Sequence, residues 1–121
     1  MARLVLDEAH MHPAVRELVA HLHRGTVEAV RSAVAAHPVV VVGMGWNPFV
    51  RKARRLLLEA GVSCHYLAYG NYLSEWRRRN ALKMWTGWPT FPMVFVKGAL
   101  VGGAQDLQRL AASGELKRLL A

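Results

Sequence analysis

Cys64 is the single thiol in 121 residues, so the chain can close no internal disulfide and carries no paired-thiol redox motif. It lies in Val62-Ser63-Cys64-His65-Tyr66, a stretch that reads as a strand, where a cysteine behaves as a small half-buried hydrophobe. His65 would point to the opposite face of that strand, which leaves the thiol no adjacent imidazole. His10, His12, His21 and His23 form two His-x-His pairs. Residues two apart on a helix face different sides and cannot chelate as an i,i+4 pair does, so no metal site is expected. Cations are more promising: Arg51, Lys52, Arg54 and Arg55 follow Asn47-Pro48, and Arg77, Arg78 and Arg79 form a second group. Together they would make an electropositive collar able to steer an acidic partner. Met44, Trp46 and Phe49 bracket the same Asn47 turn. An apolar patch there, rimmed by Arg51 and Arg54, would suit protein docking.

The elements that must position these residues follow from pattern. Pro13 to His23 reads as a helix, with Val15, Leu18, Val19 and Leu22 at helical spacing and Pro13 in its first turn. Gly25-Thr26 interrupts it, and Thr26 is placed to cap a second helix through Ala36 that His37-Pro38 ends. Val39-Val40-Val41-Val42 has no polar face, as in a strand covered on both sides. Asn47-Pro48 supplies an N-cap and a first-turn proline for a helix to about Ala60, with Gly61 just beyond its end. Val62 to Tyr69 is the next strand, and Ser74-Glu75 opens another helix. Phe91 to Val96 and Ala99 to Val101 form a hairpin through Lys97-Gly98. A final helical stretch follows Gly102-Gly103, divided at Ser113-Gly114. The order α-α-β-α-β-α-β-β-α predicts a three-layer α/β domain.

Composition narrows the function. An apolar fraction of 53% supports one packed core, and no apolar run reaches the ~20 residues of a membrane span. Met1 to His12 mixes Asp7, Glu8 and two histidines with Leu4-Val5-Leu6, unlike a secretory signal. A cytoplasmic protein is expected. The formal charge of +8 favours acidic partners, but there is no basic tail and no strand pattern of interleaved aromatics, so direct nucleic-acid function is not expected.

Three segments carry a resemblance. Val39 to Val50, V-V-V-V-G-M-G-W-N-P-F-V, resembles the strand-loop-helix segment of glutaredoxins. Trp88-Pro89-Thr90-Phe91-Pro92 is similar to the family's W-P-T-x-P segment, and Val96 to Gly103, V-K-G-A-L-V-G-G, to its V-N-G-x-x-V-G-G hairpin. The segments keep the family's order and spacing. With Arg79 nine residues before Trp88, the chain looks most like the monothiol branch. The resemblance implies a thioredoxin-like three-layer fold, a mixed four-stranded sheet with helices on both faces, in residues 26–121. Residues 1–25 would add an N-terminal helical extension.

Departures from the family pattern bear on function. Asn47 stands at the position of the nucleophilic cysteine and Val50 at that of the second cysteine or serine. Met44 replaces a lysine, and Ala104-Gln105 replaces the usual Cys-Asp. Thiol–disulfide exchange needs a thiolate, and an iron–sulfur cluster needs one as ligand, so no protein-ligated cluster is expected. What the resemblance implies for glutathione is partly backbone-based: pairing at Phe91 beside Pro92, and N–H donors from Gly103, Ala104 and Gln105 at a helix start. Arg79 and Lys83 are the implied carboxylate partners. Two readings follow. One is a redox-inactive binding or adaptor module that keeps a weak groove for glutathione or a peptide and serves a protein or acidic-peptide partner, with a dimer left open. The other is a glutathione-dependent enzyme, transferase-like or an oxidoreductase using bound glutathione.

Overall fold

Four consecutive valines cannot alternate between core and solvent, so a strand built from them needs cover on both faces. The computed structural model describes residues 2–121 and provides that cover. Strands β1 (Val39–Gly43), β2 (His65–Ala68), β3 (Met93–Val96) and β4 (Ala99–Gly102) form one sheet in the order β2-β1-β3-β4. β1 runs parallel to β2, with Val40 opposite His65 and Gly43 opposite Ala68, and antiparallel to β3. Lys97 and Gly98 close the β3–β4 hairpin with φ of 51° and 85°, the twist that two-residue hairpins favour.

Helices α1 (Pro13–His21), α2 (Arg24–Ala36), α3 (Pro48–Glu59), α4 (Trp76–Thr86), α5 (Ala104–Ser113) and α6 (Glu115–Leu120) surround the sheet. Alternation along β1 and β3 sorts the core into two layers. Val40, Val42, Met93 and Phe95 pack with Val30 and Ala33 of α2 and Leu82 of α4. Val39, Val41, Val94 and Val96 pack with Ala53 and Leu57 of α3, Leu107 of α5 and Leu116 of α6. Each fully buried valine contributes ~1.5–3 kcal/mol of transfer free energy. This is the three-layer α/β arrangement expected from the order of elements.

Local punctuation holds in several places. Asn47 caps α3 and Pro48 fills its first turn. Gly61, at φ 72°, lies just past the helix, and Gly114, at φ 82°, separates α5 from α6. Two expectations are corrected. The break before α2 falls at Leu22-His23, where His23 adopts φ 44°, and not at Gly25-Thr26. Thr26 lies inside the first turn of α2 and is buried, so it packs where it was expected to cap. The second strand is His65–Ala68 and not Val62 to Tyr69, because β1 offers partners only from Val40 to Gly43. Cys64 therefore precedes the strand. None of the residues of α1 is buried.

Candidate functional site

Beyond the C-terminal end of β1 the chain turns through Met44 to Trp46 and enters α3 at Asn47. The Asn47 side chain is 7% exposed and engaged at both ends. Its Oδ1 accepts from the Phe49 N–H at 2.9 Å and the Val50 N–H at 3.2 Å, satisfying two donors that a helix start leaves open. Its Nδ2 donates to the Phe91 carbonyl at 3.4 Å. The Phe91–Pro92 peptide is cis, and the Asn47 bond ties that segment to the helix start. Val50 is 2% exposed. A Cβ at Gly43 would stand 2.7 Å from Val50 Cγ1, so the glycine leaves the room that Val50 fills. Neither position carries a nucleophile.

Met44 departs from the expected docking patch. It is buried among Val42, Val50, Leu82 and Phe91, because its unbranched side chain turns inward to fill the core beneath the loop. Trp46 and Phe49 do lie in solvent, at 60% and 61% exposure. Arg51 and Arg54 are exposed on α3, and the Arg54 guanidinium lies 4.0 Å from the Tyr66 ring centroid, a cation–π contact.

The residues that the resemblance assigns to glutathione divide into groups. The Lys83 ammonium sits 5.8 Å above the Phe91 ring centroid, so Lys83, Phe91 and Pro92 converge beside Asn47. Pro92 O is 3.5 Å from a Cβ built at Gly103, and Trp88 Nε1 is 3.8 Å from it, so the start of α5 adjoins the same segment. Ala104 is buried and Gln105 exposed, and their N–H groups are first-turn donors with no intrahelical acceptor. Trp88 Nε1 is a buried donor without a partner among the described residues. The Gly103 N–H is taken by Asp106 Oδ2 at 3.0 Å. Asp106 thus puts a carboxylate at the helix start, where an anionic ligand group would sit. The acid three residues after Gly103 was the available sequence signal.

Arg79 is bonded within the protein through one nitrogen, Nη1. It is 7% exposed, unlike the neighbouring Arg77 and Arg78, and its guanidinium donates to the carbonyls of Tyr69 and Ser74. A buried charge is tolerated only with such partners, and here they fix the loop before α4.

Cys64 is half-buried, and burial pushes its thiol pKa up against a smaller opposing effect of Arg54. It adjoins His65, which pairs with Val40, at the end of β1 away from Asn47. Four strand residues separate the two ends, ~13 Å at 3.3 Å per residue. The thiol belongs to a different region from the Asn47 turn. Among the histidines, His12 Nδ1 accepts from the Ala14 N–H, His21 contacts Glu17, and His65 stacks on His37 with ring centroids 4.1 Å apart.

Comparison with known proteins gives these features a family context. The glutaredoxin family model matches residues 39–101. A glutaredoxin-like protein of Dictyostelium discoideum is 40% identical over 102 residues, covering 84% of this chain and 83% of that protein. The mitochondrial monothiol glutaredoxin-5 of Lachancea kluyveri is 33% identical over 125 residues, covering 98% of this chain and 87% of that one. A crystal structure of wheat glutaredoxin superposes with a TM-score of 0.70 at 29% identity, covering 80% of this chain and 92% of that chain.

Proposed function

This chain belongs to the glutaredoxin family, and from that premise we propose that it is a redox-inactive binding or adaptor module. It retains a weak groove for glutathione or a peptide and serves a protein partner. One observation carries the reading: a carboxamide stands at the nucleophile position with both ends hydrogen-bonded inside the protein. Exchange chemistry needs a sulfur that attacks and then leaves. Asn47 offers neither function, and Cys64 lies at the other end of the sheet with its pKa raised.

Glutathione retention rests on Lys83 above Phe91, the first-turn donors Ala104 and Gln105, and the orphan indole N–H of Trp88. Three features weaken it. Asn47 Nδ2 already donates to the Phe91 carbonyl, Asp106 occupies the Gly103 N–H, and Arg79 Nη1 is held by the loop carbonyls. A neutral contact forgone at the Phe91 carbonyl is worth ~0.5–1.5 kcal/mol and a charge-assisted one at the Gly103 N–H ~1.5–3 kcal/mol, at ~1.4 kcal/mol per decade of affinity. The retained donors are also what the glutathione-dependent enzyme reading would need, since bound glutathione would then have to supply the thiol.

Titration of reduced glutathione into ¹⁵N-labelled protein tests the reading. Shifts at Phe91, Ala104 and Gln105 that stay far from saturation at millimolar glutathione are expected. Tight saturation at those amides, together with turnover of a disulfide or an electrophile, would instead establish the enzyme.

A further inference from the structure

Two loops meet at the edge of the Asn47 turn. The Gly45 N–H donates to Gly70 O at 2.7 Å and the Tyr69 N–H to Gly43 O at 3.0 Å. The loops of residues 43–49 and 69–76 therefore adjoin at Gly43–Gly45 and Tyr69–Gly70. A Cβ at Gly45 would lie 3.3 Å from Gly70 O, so the close approach falls where the side chain is missing. Five large apolar side chains stand out from the two loops: Trp46 at 60%, Phe49 at 61%, Tyr72 at 59%, Leu73 at 83% and Trp76 at 55% exposure.

Local bonding makes this surface a fixed display. The Arg79 guanidinium holds the loop through Tyr69 O and Ser74 O. Asn71 Oδ1 accepts from the Leu73 N–H at 2.8 Å and from the Ser74 hydroxyl at 3.4 Å, an Asx turn that sets Leu73 outward. Trp46 is held at φ 63°, a backbone conformation that a bulky residue seldom adopts and that concentrates at functional positions. A buried arginine and a left-handed tryptophan maintain apolar groups in water on two adjoining loops, and large exposed apolar groups gathered in this way point to an interaction site.

Charge identifies the partner. Arg51, Lys52, Arg77 and Arg78 are exposed along the two segments, and the Arg77 guanidinium lies 5.2 Å from the Trp76 ring centroid. Glu75 is the one acid between residues 43 and 55 or 69 and 80, and Arg78 engages it at 3.1 Å. The rim is cationic, and arginine stacked on an aromatic ring keeps its fork free for carboxylates.

We propose that this two-loop surface binds an acidic amphipathic segment of a partner protein. The partner's apolar face covers Trp46, Phe49, Leu73 and Trp76, and its carboxylates meet Arg51 and Arg77. A second copy of this chain, carrying the same +8, is disfavoured as occupant by charge. The inference rests on the binding-module reading of the Asn47 end, but it does not require that glutathione bind.

A random peptide library displayed on phage and selected against the immobilised full-length protein tests it. The selected peptides should be net acidic, with aromatic or aliphatic residues at helical spacing. Leu73→Asp and Arg77→Glu, both at solvent-exposed positions, should each weaken the selected peptides about tenfold or more, with circular dichroism unchanged. Basic or neutral winners, an empty selection, or affinities indifferent to both substitutions would overturn the proposal. So would adsorption to phosphatidylcholine vesicles containing phosphatidylglycerol in place of any acidic peptide. An unaltered glutathione response in Leu73→Asp keeps this outcome separate from that of the groove.

Discussion

The Asn47 carboxamide accepts two N–H groups with one atom and donates to the Phe91 carbonyl with the other, so one substitution tests capping and groove together. Asn47→Ala should lower stability by ~1–2 kcal/mol, the range of a lost N-cap. The urea midpoint should fall while the slope of the unfolding curve stays the same. A second test concerns alkaline pH. Burial raises the pKa of Cys64 from 9.0, and those of Tyr66 and Tyr69 from 10.0. For each group the unfolded chain deprotonates first. The stability contribution is therefore intact below the unfolded value and is lost as pH rises through the folded one. Urea midpoints should stay level up to about pH 8 and fall above about pH 9. Cys64→Ala should delay the onset of that fall. Asn47-Pro48 was legible as a helix start because capping is local chemistry. Arg79 was not: the sequence shows three adjacent arginines, and only tertiary packing decides which is buried.

Among the elements, the loop from Tyr69 to Ser74 depends most on one remote side chain. Arg79→Met would leave the Tyr69 and Ser74 carbonyls without the guanidinium and should cost ~1–3 kcal/mol. Hydrogen exchange should accelerate at the amides of residues 69–74 and remain slow in β1 and β3, which would identify a loop clamp. Turns and caps were the readable part of the architecture. Gly98, Gly61 and Gly114 each sit where a positive φ is needed and punctuate the chain as glycine suggests. Failures occurred where packing outranked local preference. Thr26 is drawn into the core side of α2, Met44 fills space under its loop, and Val62 to Cys64 lie beyond the reach of the β1 ladder.

At the scale of the whole molecule, the two core layers on either side of β1 and β3 hold the Asn47 turn, the Phe91-Pro92 segment and the start of α5 at one end of the sheet. The N-terminal segment lies outside both core layers. No residue of α1 is buried, and Arg3 makes one exposed hydrogen bond, to the Thr86 carbonyl at 3.0 Å. A chain beginning at His23 should therefore still fold, with a loss of ~1–3 kcal/mol measured by urea unfolding, because Val19 and Leu22 are only 40% and 41% exposed and line one cavity with Val27, Ala81 and Met84. The family frame was legible because its three motifs are contiguous runs of sequence. The second loop of the apolar surface was not, because the segment carrying Tyr72, Leu73 and Trp76 reaches the Trp46 loop through tertiary contacts, the Gly45–Gly70 and Tyr69–Gly43 hydrogen bonds. The central claim, that this frame is without thiol chemistry because of residue 47, is tested most directly by glutathione-dependent disulfide reduction. The native protein and Asn47→Cys should be assayed side by side, leaving Met44 unchanged because a lysine there would bury a charge. Native protein should match the buffer control, while Asn47→Cys, its thiol at a helix N-terminus with a pKa below ~8.5, should exceed it. Turnover by the native protein equal to that of the variant would contradict the account.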